Sequence, residues 1–129
     1  MKKTQQAFTL VEIMIVVGII ALLASIAIPH LYRSKVLSNE SAAQATLKTI
    51  ASALENYASI NNVYPTNPSD LIGITPPYLN QDFFTGVHSG YSYTPTLASY
   101  SYTIVATPVN TSVGNNSYTI STGATLTKN

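Results

Sequence analysis

The chain is predicted to fold as an α+β protein, with a long N-terminal α-helix, half transmembrane and half amphipathic, packed on a small antiparallel sheet of three or four strands. Three features of the 129-residue sequence predict it. Residues 8–29 form an apolar run that contains one carboxylate, Glu12; residues 30–60 keep apolar side chains at helical spacing; and the last third alternates with period two.

The apolar run carries no charge between residues 13 and 28. Extended back to Phe8 it is roughly 21 residues, or about 31 Å of helix at ~1.5 Å per residue, enough to cross a bilayer core of ~30 Å. Lys2 and Lys3 precede it without an acidic residue, so the positive-inside rule predicts one span with the N-terminus cytoplasmic and the rest of the chain outside. A cleaved secretory signal would end in a small-residue site. Here Ile28 runs into Pro29, His30, Leu31 and Tyr32, so the apolar segment is expected to stay in the mature protein.

Glu12 is the anomaly. A carboxylate at the centre of a membrane helix costs ~2.5 to 3.5 kcal/mol, and less towards the end of the span. Two readings compensate it. In one, Glu12 lies at headgroup level and caps the first helical turn, where the helix dipole favours negative charge. In the other, cutting the chain after Ala7 creates a free amine at Phe8, which pairs with Glu12 of a neighbouring subunit and sets the register of assembly.

At these residues the sequence resembles a known family. The basic head, then Ala7, Phe8, Thr9, Leu10, Val11 and Glu12, then the apolar run closed by Pro29, resemble the type III signal of type IV pilins and of the pseudopilins of type II secretion. The resemblance implies the pilin fold and no enzymatic activity. It implies that a prepilin peptidase in the membrane cuts between Ala7 and Phe8 and methylates the new amine of Phe8, leaving Glu12 as the assembly carboxylate. The family usually has Gly before the cut; this chain has Ala7, the smallest substitute. The likeness divides the chain into a leader at 1–7, a transmembrane and assembly helix at 8–29, and a head domain at 30–129. It covers about the first quarter of the sequence, and the remainder is read on its own terms.

Pro29 lacks an amide hydrogen and crowds the preceding turn, so the helix is expected to kink or melt locally where the lipid span ends; in the pilins it resembles, that segment loses helix inside the filament. Beyond it, Ala43, Leu47, Ile50, Leu54, Tyr57 and Ala58 mark the core face of a helix over residues 30–60, with Asn61 and Asn62 suited to its C-terminal cap. Residues 61–90 form an αβ loop rich in Pro, Asn, Gly and Asp, held by Leu71, Ile72, Tyr78, Leu79, Phe83 and Phe84, with a helical turn at 68–71. The antiparallel sheet is predicted within residues 91–127, as strands at 91–94, 100–107 and 117–122 and a short fourth at 124–127. Its inner face should carry Tyr102, Ile104, Ala106, Tyr118 and Ile120 against Leu47, Ile50 and Leu54, since so small a sheet needs support.

Composition narrows the function. Cysteine is absent, which removes disulfides, thiolate nucleophiles and Cys-type zinc sites together. Without Lys2 and Lys3 the 6 basic and 5 acidic residues become 4 and 5, a net charge of −1. A nucleic-acid partner would want a basic stripe, and none is present. The two histidines are His30 and His88; Gly86-Val-His-Ser-Gly90 places its serine fourth rather than third, so it is not a nucleophile elbow. After Glu55 the carboxylates are Asp70 and Asp82, too few for a calcium cage of the kind implied for major pseudopilins, and no metal or other cofactor is expected. Sequons at Asn39, Asn110 and Asn115 are expected by chance in so Asn- and Ser-rich a chain, and most of the nine tyrosines fit core and interface positions.

The expected function is therefore assembly: a structural subunit dissolved in the inner membrane through its helix, then extracted by an assembly platform and polymerised with itself into a surface filament. Gly18, Ala21, Ala24 and Ser25 would let neighbouring helices approach closely. A pseudopilin in a short periplasmic filament is the alternative within the superfamily, and a monomeric, membrane-anchored binding domain the alternative outside it.

Overall fold

The computed structural model describes residues 7–129. Helix α1 spans Leu10–Asn61 and the short helix α2 spans Ser69–Ile72; strands β1 (Tyr91–Ala98), β2 (Ser101–Pro108), β3 (Tyr118–Ser121) and β4 (Thr125–Lys128) follow in sequence order. The strands pair antiparallel in the order β1-β2-β3-β4, so the sheet is a simple meander. The α+β class is the one expected, and of the three or four strands expected the sheet has four. The chain divides after Ser34 into two units, each taken by itself below.

The first unit is the N-terminal part of α1. Thr9 stands immediately before the helix and Glu12 is its third residue, the spacing of a capping box. From Leu10 to Ile28 the large apolar side chains are exposed in the single chain. The helix runs through Pro29 without interruption, and a single missing amide hydrogen, the normal partner of the Ser25 carbonyl, is all that the proline removes.

The second unit, Lys35–Asn129, holds the core. Ala43, Leu47, Ile50 and Leu54 of α1, joined by Ala51 and Ala53, lie in one buried cluster with Tyr91, Tyr93, Tyr102, Ile104, Ala106, Tyr118 and Ile120 of the sheet. Register explains the fit: Tyr93 pairs with Ala106 and Ala106 with Tyr118, so a methyl group sits between two large rings, while Ile104 pairs with Ile120. Tyr57, placed in the core by its spacing, packs only part-buried at the edge, against Tyr78 with ring centroids 5.4 Å apart.

The helix end and the loop follow local chemistry. Asn62 takes a φ of 60°, and its amide donates to the Ala58 carbonyl at 2.8 Å, closing α1 one residue beyond the expected Ile60. Leu71 and Leu79 are buried anchors of the αβ loop, with Ile72, Tyr78, Phe83 and Phe84 packed against the cluster. Strand β1 is longer than predicted: it continues through Pro95 to Ala98. Proline is tolerated there because β1 is an edge strand with one neighbour, so the missing amide can face outward.

Candidate functional site

In the N-terminal unit, Ala7 and Phe8 precede the helix, and Phe8 is 82% exposed. Four residues on, Glu12 turns back to Thr9. Its Oε2 accepts from the Thr9 amide at 2.8 Å and from the Thr9 hydroxyl at 2.9 Å, while the Glu12 amide donates to Thr9 Oγ1 at 3.2 Å. This reciprocal bonding occupies amides that the start of a helix otherwise leaves bare, which in lipid would be costly. In the uncut chain Phe8 offers an amide rather than an amine, and the Glu12 carboxylate is engaged by Thr9. Of the two readings of Glu12, the capping one describes the single chain. Thr9 itself was missed as a partner, although Thr-Leu-Val-Glu ahead of an apolar run is the sequence signature of this box.

The rest of the segment presents little but hydrocarbon. At Gly18 an added Cβ would meet nothing within 4 Å, so the chain's own fold does not require glycine there. The Ser25 hydroxyl donates to the Leu22 carbonyl at 2.7 Å, which keeps a polar group satisfied without a neighbour. By length and apolar composition the segment is able to cross a membrane.

In the second unit, two carboxylates of α1 that sequence reasoning left unassigned hold the sheet and its connections. Glu40 is only 7% exposed. Its Oε1 accepts from the Asn115 amide at 3.0 Å and from Asn116 Nδ2 at 2.8 Å, and its Oε2 from the Tyr118 hydroxyl at 3.0 Å. Burial alone would raise its pKa, but the Asn115 amide, the Tyr118 hydroxyl and Asn116 together hold the carboxyl below the usual range. The adjacent Asn39 donates to the Val113 carbonyl at 3.1 Å, so two neighbouring side chains fix the β2–β3 connection. That connection fits closely: Gly114 has no room for a Cβ, which would lie 2.0 Å from the Tyr91 hydroxyl oxygen.

Glu55 makes the second attachment. Its Oε1 accepts from the Tyr102 hydroxyl and from the Gly123 amide, each at 3.0 Å, and its Oε2 from the Tyr64 hydroxyl at 3.0 Å. The phenols respond to their surroundings. Burial, then the charge of Glu40, pushes Tyr91 up to about 12; burial, then the bond to Glu40, raises Tyr118; burial, then Glu55, raises Tyr64. In the αβ loop Asp82 accepts from the Thr85 hydroxyl at 2.7 Å and the Phe84 amide at 2.8 Å, so this carboxylate serves its own turn. His88 is bonded to Gln81 through Nδ1 at 3.2 Å and to the Thr85 carbonyl through Nε2 at 3.1 Å. This satisfies both ring nitrogens and sets no nucleophile beside a base.

Comparison with known proteins bears on the N-terminal segment first. Residues 2–28 match the prokaryotic N-terminal methylation motif. By this segment the chain is similar to the pilins and pseudopilins. The chain is similar to the type II secretion system core protein G of Aeromonas hydrophila, 36% identical over 70 residues, or 54% of this chain and 49% of the relative. The core protein G of Vibrio cholerae is 38% identical over 69 residues, 54% and 47% of the two chains. The type IV wide pilus major component PilA4 of Thermus thermophilus is 35% identical over 72 residues, 56% and 55% of the two chains. The matched region spans about half the length of these relatives, and it includes names from both branches of the superfamily.

Proposed function

We propose that the chain is a structural subunit of a type IV pilus-like filament, anchored in the inner membrane by residues 8–29 with its N-terminus in the cytoplasm and then polymerised as a helical homopolymer. A prepilin peptidase cuts between Ala7 and Phe8 and methylates the Phe8 amine. An inner-membrane assembly platform extracts the subunit, and the filament leaves the cell surface. The observation that carries this reading is the state of the N-terminal segment: a helical stretch of exposed apolar side chains with a single carboxylate, under a matched methylation motif.

The chemistry of assembly follows from that segment. A helix in lipid gains nothing from the hydrophobic effect when it leaves for a helix neighbour, so close packing and polar contacts must drive the exchange. Gly18, with open space where a side chain would be, suits such a close approach, and Ala21, Ala24 and Ser25 continue it. After the cut, the free amine at Phe8 gives Glu12 a stronger partner than Thr9, an opposite charge in a dry filament core. One neighbour's amine on each Glu12 would fix the stagger of subunits. On assembly the helix around Pro29, already short of one hydrogen bond, is where backbone is most readily melted.

A second destination, the pseudopilus of a type II secretion system, is favoured by the relatives named core protein G. Electron microscopy of material sheared from cells, with N-terminal mass spectrometry of the same fraction, separates the outcomes. Long fibres built of chains that begin at N-methylated Phe8 support the pilus. Processed protein that stays in the membrane fraction without fibres supports the pseudopilus, and an intact Met1 on filament protein refutes the processing site. Glu12→Val should insert and be cut yet assemble poorly; normal fibres from that variant would remove the role given to Glu12.

A further inference from the structure

One turn past the apolar run, Ile26, Pro29, His30 and Arg33 line a groove of about 180 Å³ on a single face of α1. Residues at i, i+3, i+4 and i+7 share a helix face, so the groove has an apolar end at Ile26 and Pro29 and a polar end at His30 and Arg33. His30 and Arg33 are both exposed. No carboxylate lies three or four residues from Arg33, since the sequence has no acidic residue between Glu12 and Glu40, and Glu40, seven residues on, is engaged with Asn115, Asn116 and Tyr118. A guanidinium that carries permanent charge is therefore left without an intrahelical counter-ion, beside a hydrocarbon surface.

Position along the helix says what the groove would meet. With Ile28 at the end of the hydrocarbon core, a rise of ~1.5 Å per residue puts the backbone of His30 about 3 Å and that of Arg33 about 7.5 Å beyond it, inside and at the outer edge of the headgroup layer. An anion there that also has an apolar tail is a phospholipid. We propose that this groove seats an anionic phospholipid, its phosphate held by the Arg33 guanidinium with the His30 ring donating a second bond, and its glycerol and upper acyl carbons lying on Pro29 and Ile26. A guanidinium fork matches two phosphate oxygens at once, which an ammonium does not. The proposal rests on the reading that residues 8–29 lie in a bilayer, and it adds a lipid ligand to that reading.

The test uses the full chain reconstituted in vesicles of phosphatidylcholine alone and in an equal mixture with phosphatidylglycerol. Flotation of the vesicles reports membrane anchoring. Native mass spectrometry after gentle detergent release reports which lipid stays bound. The expected result is that the chain floats with both vesicles and retains phosphatidylglycerol over phosphatidylcholine by about fivefold, the increment of one basic group near an anionic surface. Arg33→Gln should float equally and lose the preference, Arg33→Lys should keep part of it, and Lys48→Gln, at an exposed position further along α1, should leave it unchanged. A chain that floats without any lipid preference, or a preference that survives Arg33→Gln, overturns the lipid site and leaves the anchoring reading intact. Displacement of phosphatidylglycerol by millimolar inorganic phosphate would mark the groove as a free-anion site and overturn the lipid assignment. A chain that does not float overturns the anchoring reading, and the proposal with it.

Discussion

Replacing Glu40 by alanine removes the acceptor for three donors at once. The Asn116 side chain can turn to solvent, but the Asn115 amide and the Tyr118 hydroxyl stay where the chain puts them, and Tyr118 is buried. An orphaned buried donor costs ~1 to 3 kcal/mol and the Asn115 amide, at an exposed residue, costs less, so Glu40→Ala should destabilise the second unit by about 2 to 4 kcal/mol. At ~4 to 8 °C per kcal/mol for a unit of this size, the midpoint should fall by roughly 8 to 32 °C. Glu40→Gln keeps the shape and loses the charge, and should cost about 1 to 2 kcal/mol. The two variants also differ with pH. Glu40 has its pKa lowered in the folded chain from an ordinary value of 4.5, so its contribution is fully present above that value and is lost as pH falls through the lower, folded one. Glu40→Gln should thus lose its disadvantage in acid. The chain has nine tyrosines and no tryptophan, so tyrosine near-ultraviolet circular dichroism of the full chain in non-ionic detergent follows the transition. A Glu40→Ala midpoint within about 3 °C of the parent, or a Glu40→Gln deficit as large in acid as at neutral pH, would sink the reasoning.

Other outcomes can be measured in the same way. Gly114→Ala drives a methyl group into the Tyr91 hydroxyl and should cost about 1 to 3 kcal/mol in urea unfolding; an unchanged midpoint would mean the β2–β3 connection shifts freely. Thr9→Ala removes one half of the capping box and should cost about 1 kcal/mol of helix stability, seen as faster amide hydrogen exchange at Leu10 to Glu12 with the second unit unaffected. Tyr91 is raised to about 12 in the folded chain, so the stability it contributes is complete below its ordinary value of 10.0 and is lost as pH rises from there towards 12. Tyr91→Phe should flatten that alkaline loss, and a spectrophotometric titration of the variant should find one late-ionising phenol fewer than in the parent.

Much of the fold could be read from side-chain periodicity because burial here is periodic. Leu47, Ile50 and Leu54 on the helix, and Tyr102, Ile104, Ala106, Tyr118 and Ile120 on the strands, are all buried, as their spacing requires. Pattern reading stopped at Pro95, since a proline argues against a central strand; that β1 lies at an edge is a property of the whole sheet and not of its own residues. The carboxylates show a different limit. Glu40 reads as an ordinary polar position on a helix, and its donors lie 75 to 78 residues away, in a connection and at the start of the strand it leads into, whose path no local pattern encodes. Thr9 and Glu12 stand three apart, so their bond was legible from local sequence. The pairing of Glu12 with an amine needs a cut and a second subunit, neither of which one chain contains.

Glu40 and Glu55 also say something about force. Fifteen residues of helix set them about 22 Å apart along the axis at ~1.5 Å per residue, one gripping the β2–β3 connection and Tyr118, the other Tyr102 and the β3–β4 turn. Two distant grips hold this part of α1, and both have to fail before helix and sheet come apart. Both grips are hydrogen bonds to charge, which weaken within a fraction of an ångström, whereas the oily contacts between them yield gradually. Such a join is stiff under small loads and abrupt at its limit, the behaviour of a rivet more than of a glue.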